Sequence, residues 1–305
     1  MEIHQLQYVV AVANYCHFTR AAEEVCVAQS SLSHQITKLE EELGVKLFDR
    51  TTRAVYLTTA GQEFISYARE ILALIDSAQQ CMQGYVGLAR GKINIGAITT
   101  LETIKFVPMI TAFHQKYPGL NLNINLKGHS SHQIIEQIET SETDVGLITP
   151  PIDLDTSDLE CYHIADDEFV LITSQSHPLA NRGCIDLAEV ACEHFIFPNP
   201  EQSTEAIFSQ AFRDAGFKPN IVCRCSHSET TLALIAAGMA IGLFPLDTLI
   251  ANSPPGIAII HLAAPIKKHI AMILLKRPYY PPPVVEFREH VLAWTKQLHL
   301  STSKM

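Results

Sequence analysis

The apolar positions of the first sixty residues recur at helical spacing in short blocks. Ile3, Leu6, Tyr8, Val9, Val12 and Ala13 mark a first helix over 3–14. Thr19 can cap a second, short helix running through Ala21, Ala22 and Val25. After a tight turn around Val27, a third helix carries Leu32, Ile36 and Leu39 at i, i+4, i+7 spacing. Small Ala21 and Ala22 allow a close crossing, which predicts a helix-turn-helix. The third helix buries its Leu/Ile face and leaves Gln29, Ser30, Ser31, Ser33, His34 and Lys38 outside. Amides and hydroxyls suit base edges in a major groove, while Lys and His suit phosphates. Residues 45–48 and 55–57 then flank a polar loop, which predicts a two-stranded wing carrying Arg50 and Arg53 toward a DNA backbone or narrow minor groove.

Thr59 and Gln62, spaced as a capping box, open a long helix. Its Phe64, Ala68, Ile71, Ile75, Ala78 and Met82 alternate spacings of four and three, a coiled-coil seam of about three heptads. The stripe is expected to pair with the same helix of a second copy, packing on its own chain being the alternative. Gly84, Gly87 and Gly91 end the helix in a hinge.

From Gly91 the pattern becomes strands alternating with helices. Strands are predicted over 92–98, 120–126 and 144–148, with helices from Thr99-Thr100 to Tyr117 and from Ser130-Ser131 to Glu139. Near Asp167 the chain crosses into a second lobe, with strands over 169–173, 195–197, 220–225 and 241–244 and helices over 203–215 and 228–237. Residues 257–262 close that lobe. Residues 269–276 return to the first, whose last helix spans 284–298 after the prolines of 278–283.

The segment LEEELGVKLFDRTTRAVYLTTAGQEF resembles the end of the winged helix-turn-helix of LysR-type transcriptional regulators, of the form LGxxLFxRxxRxxxLTxAG. Leu43, Gly44, Leu47, Phe48, Arg50, Arg53, Leu57, Thr58, Ala60 and Gly61 match it, and the layout of the whole chain is similar. The resemblance implies an α/β fold with three parts. These are a winged helix-turn-helix DNA-binding domain over 1–58, a linker and dimerisation helix over 59–90, and a two-lobed effector-binding domain over 91–305 like that of periplasmic binding proteins. Lobe I spans about 91–166 and 267–300, and lobe II about 167–266. It implies a DNA-binding homodimer or homotetramer on an interrupted inverted repeat, a small-molecule effector, and RNA polymerase as a possible further partner. Many members carry Pro at the position of Ser30 and Arg at that of His34, so the base preference stays open.

In open α/β sheets, ligands sit beyond the carboxyl ends of strands, at helix N-termini. Loops 97–100, 128–131, 147–150 and 198–204 meet that description and match the family's inducer loops. Thr100, His129, Thr149 and Ser203 are the first candidates, followed by Thr99, Ser130, Ser131, Asn199 and Thr204. Each hydroxyl at a helix start can equally be a cap. The loops carry no Arg or Lys apart from the flanking Lys127, so a neutral polar or mono-anionic compound is expected.

Charge changes the picture at one point. Residues 1–60 hold five cations against seven carboxylates, and the whole chain is at −10, so affinity for DNA must rest on a few placed side chains and more than one copy. The longest apolar run, 232–246, is too short to cross a bilayer, and MEIHQLQYVV lacks the features of a signal peptide, so a cytoplasmic setting with reduced cysteines is expected. Cys223, Cys225 and His227 alternate along a strand and could form a thiol or metal cluster, against the plainer reading of small apolar core residues. The peroxide-sensing branch of the family uses a cysteine in the loop matching 198–204, and none stands there. Neither a nucleophile elbow nor a phosphate loop nor HExxH is present, so no catalytic residue, metal or cofactor is assigned and no enzyme activity is expected. A thiol- or metal-responsive regulator of the same build and a solute-binding module without a DNA role stay open.

Overall fold

The computed structural model describes residues 1–50, 55–84, 91–98, 101, 104–126, 130–251 and 255–302. The chain forms two compact units, Met1–Tyr85 and Val86–Met305.

The first unit contains α1 (Ile3–Tyr15), α2 (Phe18–Glu24), α3 (Gln29–Leu43), β1 (Phe48–Arg50), β2 (Val55–Leu57) and α4 (Thr59–Gly84). Val9, Val12, Ala21, Ala22, Leu32, Ile36 and Leu39 are buried together, so the expected helical faces do meet. The α2 cap is His17 and not Thr19: its Nδ1 accepts the Thr19 amide at 3.2 Å. Cys26, with φ +54°, makes the turn into α3, and Gly44, with φ +72°, ends that helix. The wing's first strand begins at Phe48, not at residue 45. Glu40, buried on α3, takes the Leu47 and Phe48 amides at 2.9 and 3.2 Å, which holds this stretch on the helix and out of the ladder. Strand β1 pairs antiparallel with β2 from Phe48↔Leu57 to Arg50↔Val55.

The cap of α4 is Thr58, one residue before the expected position. Its Oγ1 accepts the Gly61 amide at 2.9 Å and donates to the Lys46 carbonyl at 2.7 Å. Along α4, Phe64 is half-buried against the core of this unit and Ala68 is fully buried, so both belong to their own chain's packing. An exposed apolar stripe continues through Tyr67, Ile71, Leu74, Ala78 and Met82, with Ile75 half-buried beside it. The exposed apolar face of α4 thus keeps Ile71, Ala78 and Met82 of the stripe read in the sequence and adds Tyr67 and Leu74, because α1 covers the flank that includes Ala68: Arg69 of α4 donates to Asn14 of α1 at 2.8 Å.

The second unit runs β3 (Gly91–Ala97), α5 (Phe106–Lys116), β4 (Leu120–Asn125), α6 (Ser131–Glu139), β5 (Val145–Ile148), β6 (Leu159–Ser174), β7 (Cys184–Ile185), β8 (His194–Phe197), α7 (Ser203–Asp214), β9 (Asn220–Arg224), α8 (Ser228–Ala236), β10 (Gly242–Pro245), α9 (Leu246–Ala251), β11 (Ile257–Leu262), β12 (Ile266–Leu275) and α10 (Pro282–Thr302). The strand order is β4-β3-β5-β12-β6-β11-β7, with β10 also on β6. Strand β8 pairs parallel with β9, and Phe195 bridges to Ile241 beside β10. Strands β6 and β12 run antiparallel from Leu159↔Leu275 to Phe169↔Ile266, the two passages between lobes. Lobe I packs around Ile93, Phe113, Leu147 and Phe287, and lobe II around Phe169, Phe195, Phe212 and Leu243. Such a two-lobed layout is shared in form with periplasmic binding proteins.

Helix α5 starts at Phe106, capped by Lys105 in the left-handed region, and not at Thr99-Thr100. Pro108 is the reason: a helix interior cannot hold it, whereas the first turn can. Thr99, Thr100 and His129 lie outside the described residues, as do Arg53 and Gly87. No described helix is long and apolar enough to cross a membrane.

Candidate DNA interface and inter-lobe cleft

On α3 the residues left over by the core form one polar edge. Gln29, Ser30, Ser31, His34 and Lys38 are exposed and Ser33 is half-buried, while Leu32, Ile36 and Leu39 are sealed. The helix opens at Ala28, which offers no side-chain acceptor, so the first amides of α3 face outward with the positive end of the helix dipole. Buried Gln5 donates to the Gln35 side chain at 3.2 Å and fixes the rotation of α3 against α1. Glu40 then ties the wing to the same helix, with Lys46 Nζ 2.9 Å from its second oxygen. Glu40 therefore joins α3 to the start of the wing's first strand. Arg50 sits in β1 opposite Val55.

The second unit holds a cavity of about 130 Å³ between its lobes. Lobe I contributes Ser130, Ser131 and Thr149, and lobe II Ser203 and Thr204, over an apolar floor of Phe169, Phe197 and Phe208. Two hydroxyls stand out, Thr149 Oγ1 and Ser203 Oγ. Both are buried, come from opposite lobes and have no hydrogen-bond partner among the described residues. Buried polar atoms are paired in nearly all native structures, so this pair facing one cavity is an exception to be accounted for. Ser130 is already engaged as the α6 cap, its Oγ accepting the Gln133 amide at 3.3 Å. Asn199 does not line the cavity; it turns to the Ser226 hydroxyl.

The loop after β9 was missed in the sequence and lines the site with Cys225, Ser226 and Ser228, and Thr231 follows on α8. The rule that selected the other four loops also covers it, since it too joins a strand's carboxyl end to a helix. It is clamped to loop 198–204 by Gln202 Nε2 on the Ser226 carbonyl at 3.3 Å and by Arg224 on the Pro198 carbonyl at 2.6 Å. Helices α7 and α8 both begin here without a side-chain cap. No charged side chain is among the described lining residues. From lobe I, His132 Nδ1 approaches the Glu201 carbonyl at 3.3 Å across the mouth.

Residues 3–62 match the family described as bacterial regulatory helix-turn-helix protein, lysR family, and residues 87–296 match the LysR substrate binding domain. The chain belongs to the LysR family of transcriptional regulators. This LysR-type regulator is 31% identical over 301 residues to the HTH-type transcriptional regulator ShiR of Corynebacterium glutamicum, covering 97% of this chain and 93% of that one. To the transcriptional dual regulator GltC of Bacillus subtilis it is 29% identical over 300 residues, 98% and 99% of the two chains. Among solved structures, full-length CbnR complexed with its target DNA is similar with a TM-score of 0.68 and 25% identity, over 96% of this chain and 100% of that one. A full-length OxyR variant from Pseudomonas aeruginosa shares the fold, with a TM-score of 0.75 and 23% identity over 97% and 95%. The regulator's family and relatives are DNA-binding regulators with an effector-binding domain, not enzymes. That removes the reading as a solute-binding module without a DNA role.

In this LysR-type regulator Cys223 and Cys225 are half-buried against the Ile172, Ile196 and Phe244 cluster, as small apolar residues are, and each sulfur approaches a nearby carbonyl. They and His227 are not among the described residues whose donors converge as for a metal. Where the lobes join, Asp167 of β6 and Lys268 of β12 are register partners with side chains 2% and 1% exposed. Lys268 Nζ lies 3.9 Å from Asp167 Oδ2, and Oδ1 takes the Glu168 and Asp247 amides at 2.7 and 3.3 Å. Burial pushes the Asp167 carboxyl up; the Lys268 ammonium pulls against it and Asp247 reinforces it.

Proposed function

We propose that two copies of the chain, paired along the exposed stripe of α4, present their α3 helices to an interrupted inverted repeat in double-stranded DNA. Gln29, Ser30, Ser33 and His34 face bases or adjacent phosphates, with Ser31 and Lys38 at the edge, and Arg50 and Arg53 reach the flanking backbone. Tyr67, Ile71, Leu74, Ala78 and Met82 supply the shared seam, since a helix at the surface does not leave so long an apolar stripe in water without a partner. The domains divide as 1–58, 59–90 and 91–305, the last binding an effector that resets how two dimers sit on the promoter and, with them, RNA polymerase. The DNA-bound CbnR and its coverage of this chain support the overall arrangement.

The observation that carries the effector reading is the orphan pair Thr149 and Ser203, one from each lobe, over a single small cavity. A ligand that satisfies both hydroxyls joins the lobes, and so stabilises one inter-lobe angle over others. The cavity is near the roughly 150 Å³ that admits benzene, a space that suits a compact molecule. With no charged lining side chain and two uncapped helix N-termini, the ligand that fits is neutral and polar or carries one negative charge.

A thermal-shift screen of the full chain against small monocarboxylates and polyols tests this reading. A hit raises the melting temperature through binding to the folded state. Thr149→Val with Ser203→Ala is expected to weaken that hit by roughly 10–100-fold, two hydrogen bonds at about 1 kcal/mol or more each, while leaving the apo melting temperature unchanged or higher. Undiminished binding by the double variant contradicts the assignment. On the DNA side, Arg50→Ala with Arg53→Ala is expected to weaken binding across sequences and to lower the slope of log K against log salt by about 1–2. An anisotropy titration at several salt concentrations measures it, and an unaltered slope removes the wing from the interface.

A further inference from the structure

Two histidines and an aspartate converge on the strands that join the lobes, away from the cavity and from α3. His163 Nε2 and His269 Nδ1 lie 2.7 and 2.6 Å from one and the same atom, Asp166 Oδ1. The two rings stand 5.9 Å apart. All three residues are exposed, and each offers a donor atom within 4.8 Å of the others.

The backbone makes this arrangement. His163 and Asp166 are three apart in β6, and strand alternation alone sends such a pair to opposite faces. Opposite Ile270 and Ala271 the register slips: Ala271 pairs with His163 and Ile270 with Ala165, so Ile164 is the extra residue of a bulge. Ile164 and Ala165 both turn inward, 2% and 3% exposed, and His163 and Asp166 emerge on the same side. His269, the register partner of Asp166, completes the set from β12.

We propose that His163, Asp166 and His269 form a binding site for a divalent late first-row transition ion, with zinc as the reference case. Two imidazoles and a carboxylate are the donor set such ions take, with a water left in the fourth position. A tetrahedral ion with bonds of roughly 2.0–2.2 Å holds its donors roughly 3.3–3.6 Å apart. The rings must therefore withdraw from Oδ1 by under about 1 Å, which exposed side chains achieve by rotation. The ion takes the lone pair of the nitrogen that faces Oδ1 in each ring; the proton on that nitrogen moves to the ring's other nitrogen through solvent, so each ligand is a neutral imidazole. Exposed Lys267, two residues from His269 on β12, lowers the affinity and makes the ion exchangeable. Because β6 and β12 are the two passages between lobes, a bound ion cross-links them at the bulge.

The test is a zinc titration of the full-length chain against a chromophoric competitor, alongside His163→Gln/His269→Gln and, separately, Asp166→Asn. The wild type is expected to hold one ion that the double variant binds at least tenfold more weakly, with melting temperatures equal in the absence of metal. Free cysteines also take zinc, so cobalt(II) identifies the donors. The site gives visible d–d bands without thiolate charge transfer, and the bands vanish in the double variant. Equal zinc affinity in wild type and double variant overturns the proposal. So does a cobalt spectrum unchanged by the substitutions.

Discussion

Gly61→Ala is expected to melt the N-terminal unit early and abolish DNA binding. A Cβ at this position falls 2.0 Å from the Leu47 carbonyl oxygen and 3.0 Å from its carbon, with Leu57 Cδ2 at 3.1 Å. The first two are backbone atoms and cannot swing aside. The same carbonyl accepts the Thr58 amide at 3.0 Å, so moving it costs the junction between wing and α4 as well. Overpacking a tight site costs about 1–3 kcal/mol and sometimes more, and a backbone clash belongs at the upper end. At about 3 kcal/mol, a unit of this size loses roughly 12–24 °C of melting temperature. Calorimetry of the intact chain reads it as an early first transition, paired with a gel shift on the upstream DNA. An unchanged transition contradicts the close approach.

Lys268→Met is expected to be the most damaging single change in the effector-binding unit. It leaves the Asp167 carboxylate buried with only the Glu168 and Asp247 amides and with Asp247 nearby. Breaking a buried pair by removing one partner costs roughly 3–5 kcal/mol, or roughly 6–20 °C for a unit of about 215 residues. Adding Asp167→Asn should recover most of the loss, because the cost is an unpaired charge and not a lost contact. The pH dependence has a definite sign. A carboxyl whose folded pKa is raised binds its proton more tightly when folded, so it opposes folding above its unfolded value and ceases to as pH falls below that. Without Lys268 the folded value rises further, so the gap in melting temperature between wild type and variant should widen from pH 4 to pH 7. A gap that is small or flat with pH shows the pair to be energetically idle.

Much of this architecture was legible because burial writes a period into the chain. Leu32, Ile36 and Leu39 gave α3, and the polar residues between them gave its outer edge. The hydroxyl-bearing loops were legible too, because a cleft must be lined by strand ends and helix starts; Thr149 and Ser203 were reached this way. What periodicity cannot carry is the identity of a partner. The Thr19 and Thr59 caps each slipped because a neighbouring side chain, His17 or Thr58, had the better geometry. The α4 seam was read from spacing alone, and only the position of α1 decides that Ala68 is covered while Tyr67 and Leu74 stay open. Strand β6 was seen from residue 169 onward but begins at Leu159, because exposed Cys161 and His163 break the apolar run. Its bulge depends on the register with β12, one hundred residues away, and has no local signal. Gly61 is the reverse case: the motif contains it, and the structure supplies the reason, a Leu47 carbonyl 2.0 Å from where a Cβ would stand.

Hydroxyl-radical footprinting of the intact chain on the DNA upstream of its gene tests the central claim most directly. Two α3 helices held by one α4 seam should protect two patches on the same face of the duplex, separated by whole helical turns, roughly 10–10.5 base pairs each. Methionine-to-aspartate at Met82 together with Leu74→Asp should abolish both patches at once. A single patch, or two that survive the loss of the seam, would contradict paired binding through α4.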